Sequence, residues 1–168
     1  MVALALACPA QAAEKVTHVA QLSCTTGPYG IRLSKSYKAV RKLAPLKKET
    51  LLKSEDRGKY KAQYRLLAFE GLELIVITFS NEPDRYRLSA ATFASPWPLT
   101  GKLRVGNSAK FALQGLPVKN IPNDDEISFG GDKDSMRVTL SGGNVKEIDY
   151  DCDTGQPATK ARKSGARR

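Results

Sequence analysis

The residues that could carry out chemistry are few and far apart in this sequence. His18 is the only histidine in the 168-residue chain, so a serine hydrolase site would need it as the general base. It lies in an alternating segment, and no Gly-x-Ser-x-Gly occurs elsewhere to present a nucleophile. A lone histidine in a strand is more often solvated than catalytic. The sequence therefore predicts a protein that is not an enzyme and has no cofactor. An enzyme is the alternative, and an activity lost on substitution of His18 or of the cluster Asp124-Asp125-Glu126 would support it.

Two acidic clusters offer carboxylate oxygens of the kind that bind calcium, Asp124-Asp125-Glu126 and Asp132-Lys133-Asp134. Neither follows the Asp-x-Asp-x-Asp-Gly pattern with its distant glutamate. We interpret both as solvated loop charges and predict no metal site.

Positive charge is the strongest remaining signal. The chain has 27 Lys and Arg against 17 Asp and Glu, a formal net charge of +10, and much of the excess lies between Arg32 and Arg65. A cationic face attracts anionic partners and speeds their encounter. The candidate residues for binding an anionic partner are Arg32, Lys35, Lys38, Arg41 and Lys42. The alternative is that these side chains only solvate the outer face of a helix.

Both ends of the chain are predicted to lie outside the folded domain. Residues 1–12 are an apolar run that closes in Ala10-Gln11-Ala12, which is typical of a signal peptide, although no Lys or Arg precedes it. The run is too short to span a bilayer as a helix, so we expect no transmembrane segment and a periplasmic or secreted bacterial protein. A buried N-terminal helix, or lipid attachment at Cys8, is the alternative. Residues 153–168 are basic and lack large apolar side chains, which predicts a disordered tail.

Removal of residues 1–12 leaves two of the three cysteines, Cys24 and Cys152. An even number in an oxidising compartment favours a disulfide. The bridge would close a loop of more than a hundred residues. By lowering the entropy of the unfolded chain, it would stabilise the fold by about 4 to 5 kcal/mol. A reactive or metal-binding thiol pair is the alternative, but the sequence has no Cys-x-x-Cys. We therefore predict a structural disulfide between Cys24 and Cys152.

The elements that would position these residues come from an internal repeat. Gly30-Ile31-Arg32-Leu33-Ser34-Lys35-Ser36 returns as Lys102-Leu103-Arg104-Val105-Gly106-Asn107-Ser108. In each copy a serine suited to an N-cap precedes an apolar helical stripe that ends near a proline. Strand patterns follow, as an antiparallel meander. The sequence predicts one α+β domain over residues 13–152, made of two tandem units, about 30–93 and 102–152, whose helices cover the sheet.

The predicted helices start after Ser36 and Ser108 and end before Pro45 and Pro117. The predicted strands span 16–24, 64–69, 72–79, 86–93, 126–129, 136–140 and 145–150. A proline-rich connector joins the units and carries the only tryptophan, Trp97. This residue is a candidate interface aromatic, or alternatively it caps the seam between the repeats.

The chain resembles the β-lactamase-inhibitor-like fold. The resemblance covers Gly30 to Ala44 and Lys102 to Tyr150. It rests on the apolar-Arg-apolar-Gly-x-Ser pattern before the helix and on the glycine-rich last hairpin. The single unit is similar to the small outer-membrane assembly lipoproteins of the SmpA/OmlA type. The resemblance implies tandem helix-plus-sheet repeats that act as a protein-binding scaffold without catalytic residues. The first copy departs from the pattern, since Ser34 stands where glycine is expected.

These features predict a noncatalytic exported binding protein, one version of which is a protein inhibitor, with an acidic protein or an anionic envelope component as its partner. The alternative is a cell-envelope structural or assembly factor held to anionic membrane or peptidoglycan. Nucleic acid is not expected as a partner, because an exported chain rarely meets it and the aromatics near the basic residues are too sparse for a stacking platform.

Overall fold

The computed structural model describes residues 16–153 and contains one eight-stranded sheet with two short helices. The elements in chain order are β1 Val16–His18, α1 Tyr37–Val40, β2 Lys48–Asp56, β3 Lys61–Phe69, β4 Leu72–Phe79, β5 Glu82–Phe93, α2 Ala109–Ala112, β6 Asp125–Gly130, β7 Ser135–Ser141 and β8 Asn144–Asp151. The predicted signal peptide, Cys8 and the predicted basic tail beyond Asp153 lie outside the described residues.

The strand order in the sheet is β1-β6-β7-β8-β5-β4-β3-β2. Neighbouring strands are antiparallel apart from β1 and β6, which are parallel. Strands β2 to β5 form the meander of the first unit, and β6 to β8 form that of the second. The two meanders join through their last strands, since residues 90–93 of β5 pair with residues 148–151 of β8. The first part of β5 is therefore left without β8 beside it.

The prediction of an α+β domain whose helices cover the sheet is wrong, because the fold is nearly all β. Each helix has only four residues. After α1 the amides of Lys42 and Leu43 donate to carbonyls three residues back, so the helix tightens and ends. After α2 the chain turns at Gly115, which has a φ of 93°. Helices this short are not stable alone. Their apolar residues pack on the sheet, and this packing holds them in place.

Strand β2 was not predicted at all. It pairs with β3, and the register shifts at a β-bulge between Leu51 and Lys53. A bulge puts an extra residue into the strand, so the alternation of side chains that marks a strand is lost there. Leu51 and Leu52 are both exposed, at 49% and 45%. The predicted first strand, 16–24, is too long, because β1 ends at His18.

The core lies between one face of the sheet and the irregular segments that precede the two meanders. Those segments bury apolar side chains that include Ile31, Val40, Leu103 and Leu113. The sheet contributes side chains that include Leu67, Leu74, Phe93, Phe129 and Ile148. Each large apolar side chain buried in this way contributes about 1.5 to 3 kcal/mol. This packing fixes where the two repeated segments, 31–36 and 103–108, lie on the sheet.

Candidate functional site

An open groove of about 760 Å³ lies between the segment 31–35 and the first part of β5. A third part of the chain, the turn between β6 and β7, also lines it. We call it the cationic groove, after the five basic side chains in its lining: Arg32, Lys35, Arg85, Arg87 and Lys133. One carboxylate, Asp153, lines it as well. The groove therefore carries a clear excess of positive charge.

The groove follows the part of β5 that β8 does not cover. Arg85 and Arg87 lie on one face of the strand, and Tyr86 and Leu88 on the other, because side chains alternate along a strand. All four line the groove, so it runs along the strand edge. An isolated bridge between Ser36 and Arg85 brings the segment and the strand together. Alternation along β5 thus supplies charge to one side of the groove and apolar surface to the other.

A disulfide holds one end of the groove. The Sγ atoms of Cys24 and Cys152 are 2.15 Å apart, in line with the predicted pairing. Thr25 and Asp153, which follow the two cysteines in the chain, line the groove. The Asp134 carboxylate accepts hydrogen bonds from the amides of Cys24 at 2.6 Å and Asp153 at 2.7 Å. We call the disulfide and Asp134 together the disulfide joint; it fixes residues from three parts of the chain.

Most of the charge in the groove is available to a ligand. Among residues 16–153, Arg32, Lys35 and Lys133 form no ion pair. Arg85 pairs with Glu82, but its side chain is 77% exposed. Exposed pairs of this kind are weak, about 0 to 1 kcal/mol. An anion that enters the groove can therefore pair with Arg32, Lys35, Arg85 or Lys133 without breaking a strong ion pair.

The floor of the groove is apolar. Ile31 and Leu88 are buried, while Leu33 and Tyr86 are half-buried, and all four line the groove. The Tyr86 hydroxyl donates a hydrogen bond to the Ser34 carbonyl at 2.5 Å. Burial raises the pKa of Tyr86 to about 12, so its ring adds no negative charge at neutral pH. Basic side chains thus line the groove together with a neutral, partly accessible apolar surface.

The structure brings only two of the five predicted cations, Arg32 and Lys35, into the groove. Lys38 and Lys42 are exposed on and after α1 and do not line it. Arg41 belongs to a separate cluster, where its Nε lies 2.8 Å from Glu49 Oε2 and its guanidinium lies over the Tyr37 ring. The predicted cationic face is thus divided between a groove, a helix surface and a structural ion pair.

The ion-pair cluster beneath α1 is structural in character. The Tyr37 hydroxyl donates to Glu49 at 2.8 Å, and Arg65 lies 3.0 Å from the same carboxylate. Burial, followed by this hydrogen bond, raises the pKa of Tyr37 to about 12. Burial alone would raise the pKa of Glu49, but Tyr37, Arg41 and Arg65 together lower it. The carboxylate is therefore held in its charged form and ties α1 to β2 and β3.

Trp97 lies away from the cationic groove. Its indole Nε1 donates to the Glu70 carbonyl at 3.1 Å, and its ring meets the edge of Phe69 with centroids 6.2 Å apart. The side chain is half-buried against the core. It fastens the connector between the units onto the end of β3; its role as an interface aromatic stays a prediction.

The other predicted polar residues lie in β1, in β6 and in the loops beside them. His18 Nε2 is 3.3 Å from Asp132 Oδ1, and both side chains are largely exposed, at 66% and 74%. Asp124 accepts a hydrogen bond from the Gly142 amide at 2.7 Å. Within residues 16–153, no three His, Cys, Asp or Glu side chains lie close enough together to hold a metal ion. No helix in the same residues is long and apolar enough to cross a membrane.

Sequence reasoning missed three of the groove's five cations. Arg85 and Arg87 carried a usable signal, since residues two apart on a strand share a face. Lys133 lies between two aspartates in the cluster Asp132-Lys133-Asp134, which gives no sign of a cationic site. No family model, curated protein or solved structure matches the chain. The resemblance to the β-lactamase-inhibitor-like fold therefore stays a prediction, and the groove itself is the basis for assigning a function.

Proposed function

We propose that the protein is a noncatalytic exported binding protein that holds an acidic macromolecular partner in the cationic groove. One observation carries the proposal: five basic side chains from three separate parts of the chain line a single open groove. Charges collected in a concave site raise the local concentration of an oppositely charged partner. The disulfide supports the exported part of the proposal, since such bonds persist in oxidising compartments.

Binding would combine steering with fixed contacts. The net positive charge of the chain, +10, speeds the approach of an anionic surface. Within the groove, the guanidinium groups of Arg32, Arg85 and Arg87 have the planar geometry that matches a carboxylate with two parallel hydrogen bonds. Exposed charges act mainly on the association rate and on salt dependence. One version of this function is an inhibitor of a secreted or periplasmic enzyme whose acidic surface enters the groove.

The test compares two charge reversals that change the net charge equally. Arg32→Glu with Lys35→Glu alters the groove, and Lys38→Glu with Lys42→Glu alters the nearby helix surface. Polyglutamate is the probe, and fluorescence anisotropy measures its dissociation constant at low and physiological salt. We expect the groove variant to lose about tenfold or more in affinity and the control less than about twofold. An equal loss in both variants, or no binding of polyglutamate to the unaltered protein at low salt, would contradict the proposal.

The alternative is a cell-envelope factor held to anionic membrane or peptidoglycan by the basic tail and the first helix. The basic residues of the tail, after Asp153, lie outside the described part of the chain. A chain that ends at Asp153 separates the two functions. The envelope function predicts that truncation abolishes binding to vesicles containing phosphatidylglycerol and to peptidoglycan. The groove function predicts that the truncated chain keeps its affinity for polyglutamate within about twofold.

A further inference from the structure

The lining of the cationic groove has two chemically distinct parts. Its cations come from Arg32, Lys35, Arg85, Arg87 and Lys133, and its floor comes from Ile31, Leu33, Tyr86 and Leu88. A bare polyanion, such as a polyphosphate or a sulfated glycan, stays hydrated and gains nothing from an apolar floor. A ligand that matches both parts must combine negative charge with an apolar group.

We infer that the groove's ligand is an acidic protein loop that inserts one apolar side chain between carboxylates. This inference rests on the proposed function and adds the chemistry of the partner. The inserted side chain contacts Leu33 and Tyr86, the two floor residues that are half-buried and so present surface to a ligand. The flanking carboxylates pair with arginines and lysines on both sides of the groove.

The placement of the charges fits a loop better than a flat surface. Arg32 and Lys35 come from the segment before α1, whereas Arg85 and Arg87 come from β5 on the other side of the opening. A ligand that uses both sets has to enter between the segment and the strand. A flat lipid surface could meet the exposed ends of these side chains, but it would leave the floor uncovered. The apolar floor therefore favours a protein loop over a lipid headgroup.

The Tyr86 ring also favours an apolar insertion. Its hydroxyl is already used, since it donates to the Ser34 carbonyl. One part of the ring packs against the Tyr37 ring, with centroids 6.4 Å apart. The half-buried remainder lines the groove with Leu33 and Leu88 and can contact an apolar group. Burying an apolar side chain on such a floor increases affinity through the hydrophobic effect, which salt does not screen. Binding of the correct partner should therefore persist at a salt concentration that removes polyglutamate.

The test uses two synthetic acidic peptides of about ten residues that differ only at the centre. One carries leucine there and the other serine, within the same run of glutamate and aspartate. Isothermal titration calorimetry at physiological salt measures both affinities on the full chain. We expect the leucine peptide to bind about tenfold more tightly than the serine peptide, since burial of a leucine side chain provides that factor or more.

A matched pair of variants locates the effect. Leu33→Ser removes apolar surface from the groove floor, and Leu46→Ser removes a half-buried leucine that packs on the core outside the groove lining. We expect Leu33→Ser to reduce the preference for the leucine peptide to less than about threefold, and Leu46→Ser to leave it at about tenfold. Urea unfolding of each variant establishes that it is folded at the temperature of the titration.

The outcomes separate this inference from the proposed function. If both peptides bind equally, weaken on Arg32→Glu with Lys35→Glu, and are displaced by inorganic polyphosphate, the groove is a general polyanion site; the loop inference is then wrong and the proposed function stands. If vesicles containing phosphatidylglycerol outcompete the leucine peptide, the inference is also wrong. If neither the peptides nor polyglutamate bind, both proposals are wrong.

Discussion

In the second unit the repeated segment 103–108 is hydrogen-bonded to the start of β8, whereas in the first unit the matching segment 31–36 lies beside an open groove. Gly106 donates its amide to the Val145 carbonyl at 2.8 Å, and Val145 donates to the Asn107 carbonyl at 2.9 Å. In the first unit the contacts to β5 include the Ser36–Arg85 bridge and the Tyr86 hydroxyl. A phenol thus lies where the second unit has a backbone pair.

The residues at matching positions differ in charge as well as in contacts. Ser36 bridges Arg85, and Ser108 bridges Asn144, so these two strand residues correspond. The repeat also places Lys35 where the second unit has Asn107. The second unit therefore has asparagine at the two positions where the open first unit has Lys35 and Arg85, although both units have an arginine at the matching positions 32 and 104. The comparison shows that one repeated framework can either close on its last strand or leave an open groove there.

The largest effect is expected from removing the disulfide, which ties the chain before the open segment to the end of β8. Cys24→Ser with Cys152→Ser releases a bridge with a sequence separation of 128. The free energy of unfolding should fall by about 4 to 5 kcal/mol, because the unfolded chain regains the entropy of that loop. Urea unfolding under matched conditions measures the loss.

Hydrogen exchange locates the damage. The Ile31 amide donates to the Cys24 carbonyl, whereas the Gly106 amide donates to Val145. We expect protection to fall more at Ile31 than at Gly106 in the disulfide-free variant. Equal loss at the two amides would mean that the joint stabilises the sheet as a whole and has no special role in the groove.

A second prediction exchanges the charges between the units. Lys35→Asn with Arg85→Asn gives the first unit the residues of the second, and polyglutamate affinity should fall about tenfold because two groove cations are lost. The reciprocal change, Asn107→Lys with Asn144→Arg, adds the same charges to a closed segment. It should raise affinity by less than about twofold. A gain as large as the loss would show that net charge, and not the open groove, determines binding.

Much of the fold could be predicted because it depends on local patterns. The strands β4, β7 and β8 alternate or are continuously apolar, and turns bound them, so their limits came out within a few residues. Helix length could not be predicted from the apolar stripes, since Val40 and Leu113 are buried whether the chain is helical or turning. The bulge in β2 removed the signal of that strand. The parallel pairing of β1 with β6 joins distant parts of the chain and leaves no local mark.

The site was predictable only in part, because some of its residues come together through contacts between distant parts of the chain. Arg32 and Lys35 stand out in a basic stretch of sequence. Arg85 and Lys133 join them for two reasons. Strand β8 pairs only with residues 90–93 of β5, so the earlier part of β5 is uncovered, and the β6–β7 turn reaches the disulfide joint. Those are long-range features of the sheet. The internal repeat, although detected, predicted two similar segments and gave no indication that one would be open.

A third prediction concerns the serines that start the helices. The Ser36 side chain accepts a hydrogen bond from the Ala39 amide and donates one to Asp84, whereas Ser108 makes no side-chain cap bond. Ser36→Ala should therefore lower the free energy of unfolding by about 1 kcal/mol, and Ser108→Ala by close to none. Urea unfolding of the two variants checks this difference. Equal values would show that the caps contribute alike despite their different geometry.

The smallest effect is expected at Tyr86, the phenol that distinguishes the first unit from the second. Burial raises its pKa from the ordinary value of 10.0 to about 12. Its contribution to stability is therefore complete below pH 10 and is lost as the pH rises from 10 to 12, because the unfolded chain ionises first.

Burial also raises the pKa of Tyr37, so Tyr86→Phe should remove only part of the loss of stability at alkaline pH. An ultraviolet titration of the phenols gives the direct test. Tyr86→Phe should remove one phenol from the group that ionises well above pH 10. If the missing phenol is one that ionises near pH 10, Tyr86 is solvated. The groove would then lack the neutral ring against which an apolar side chain could pack.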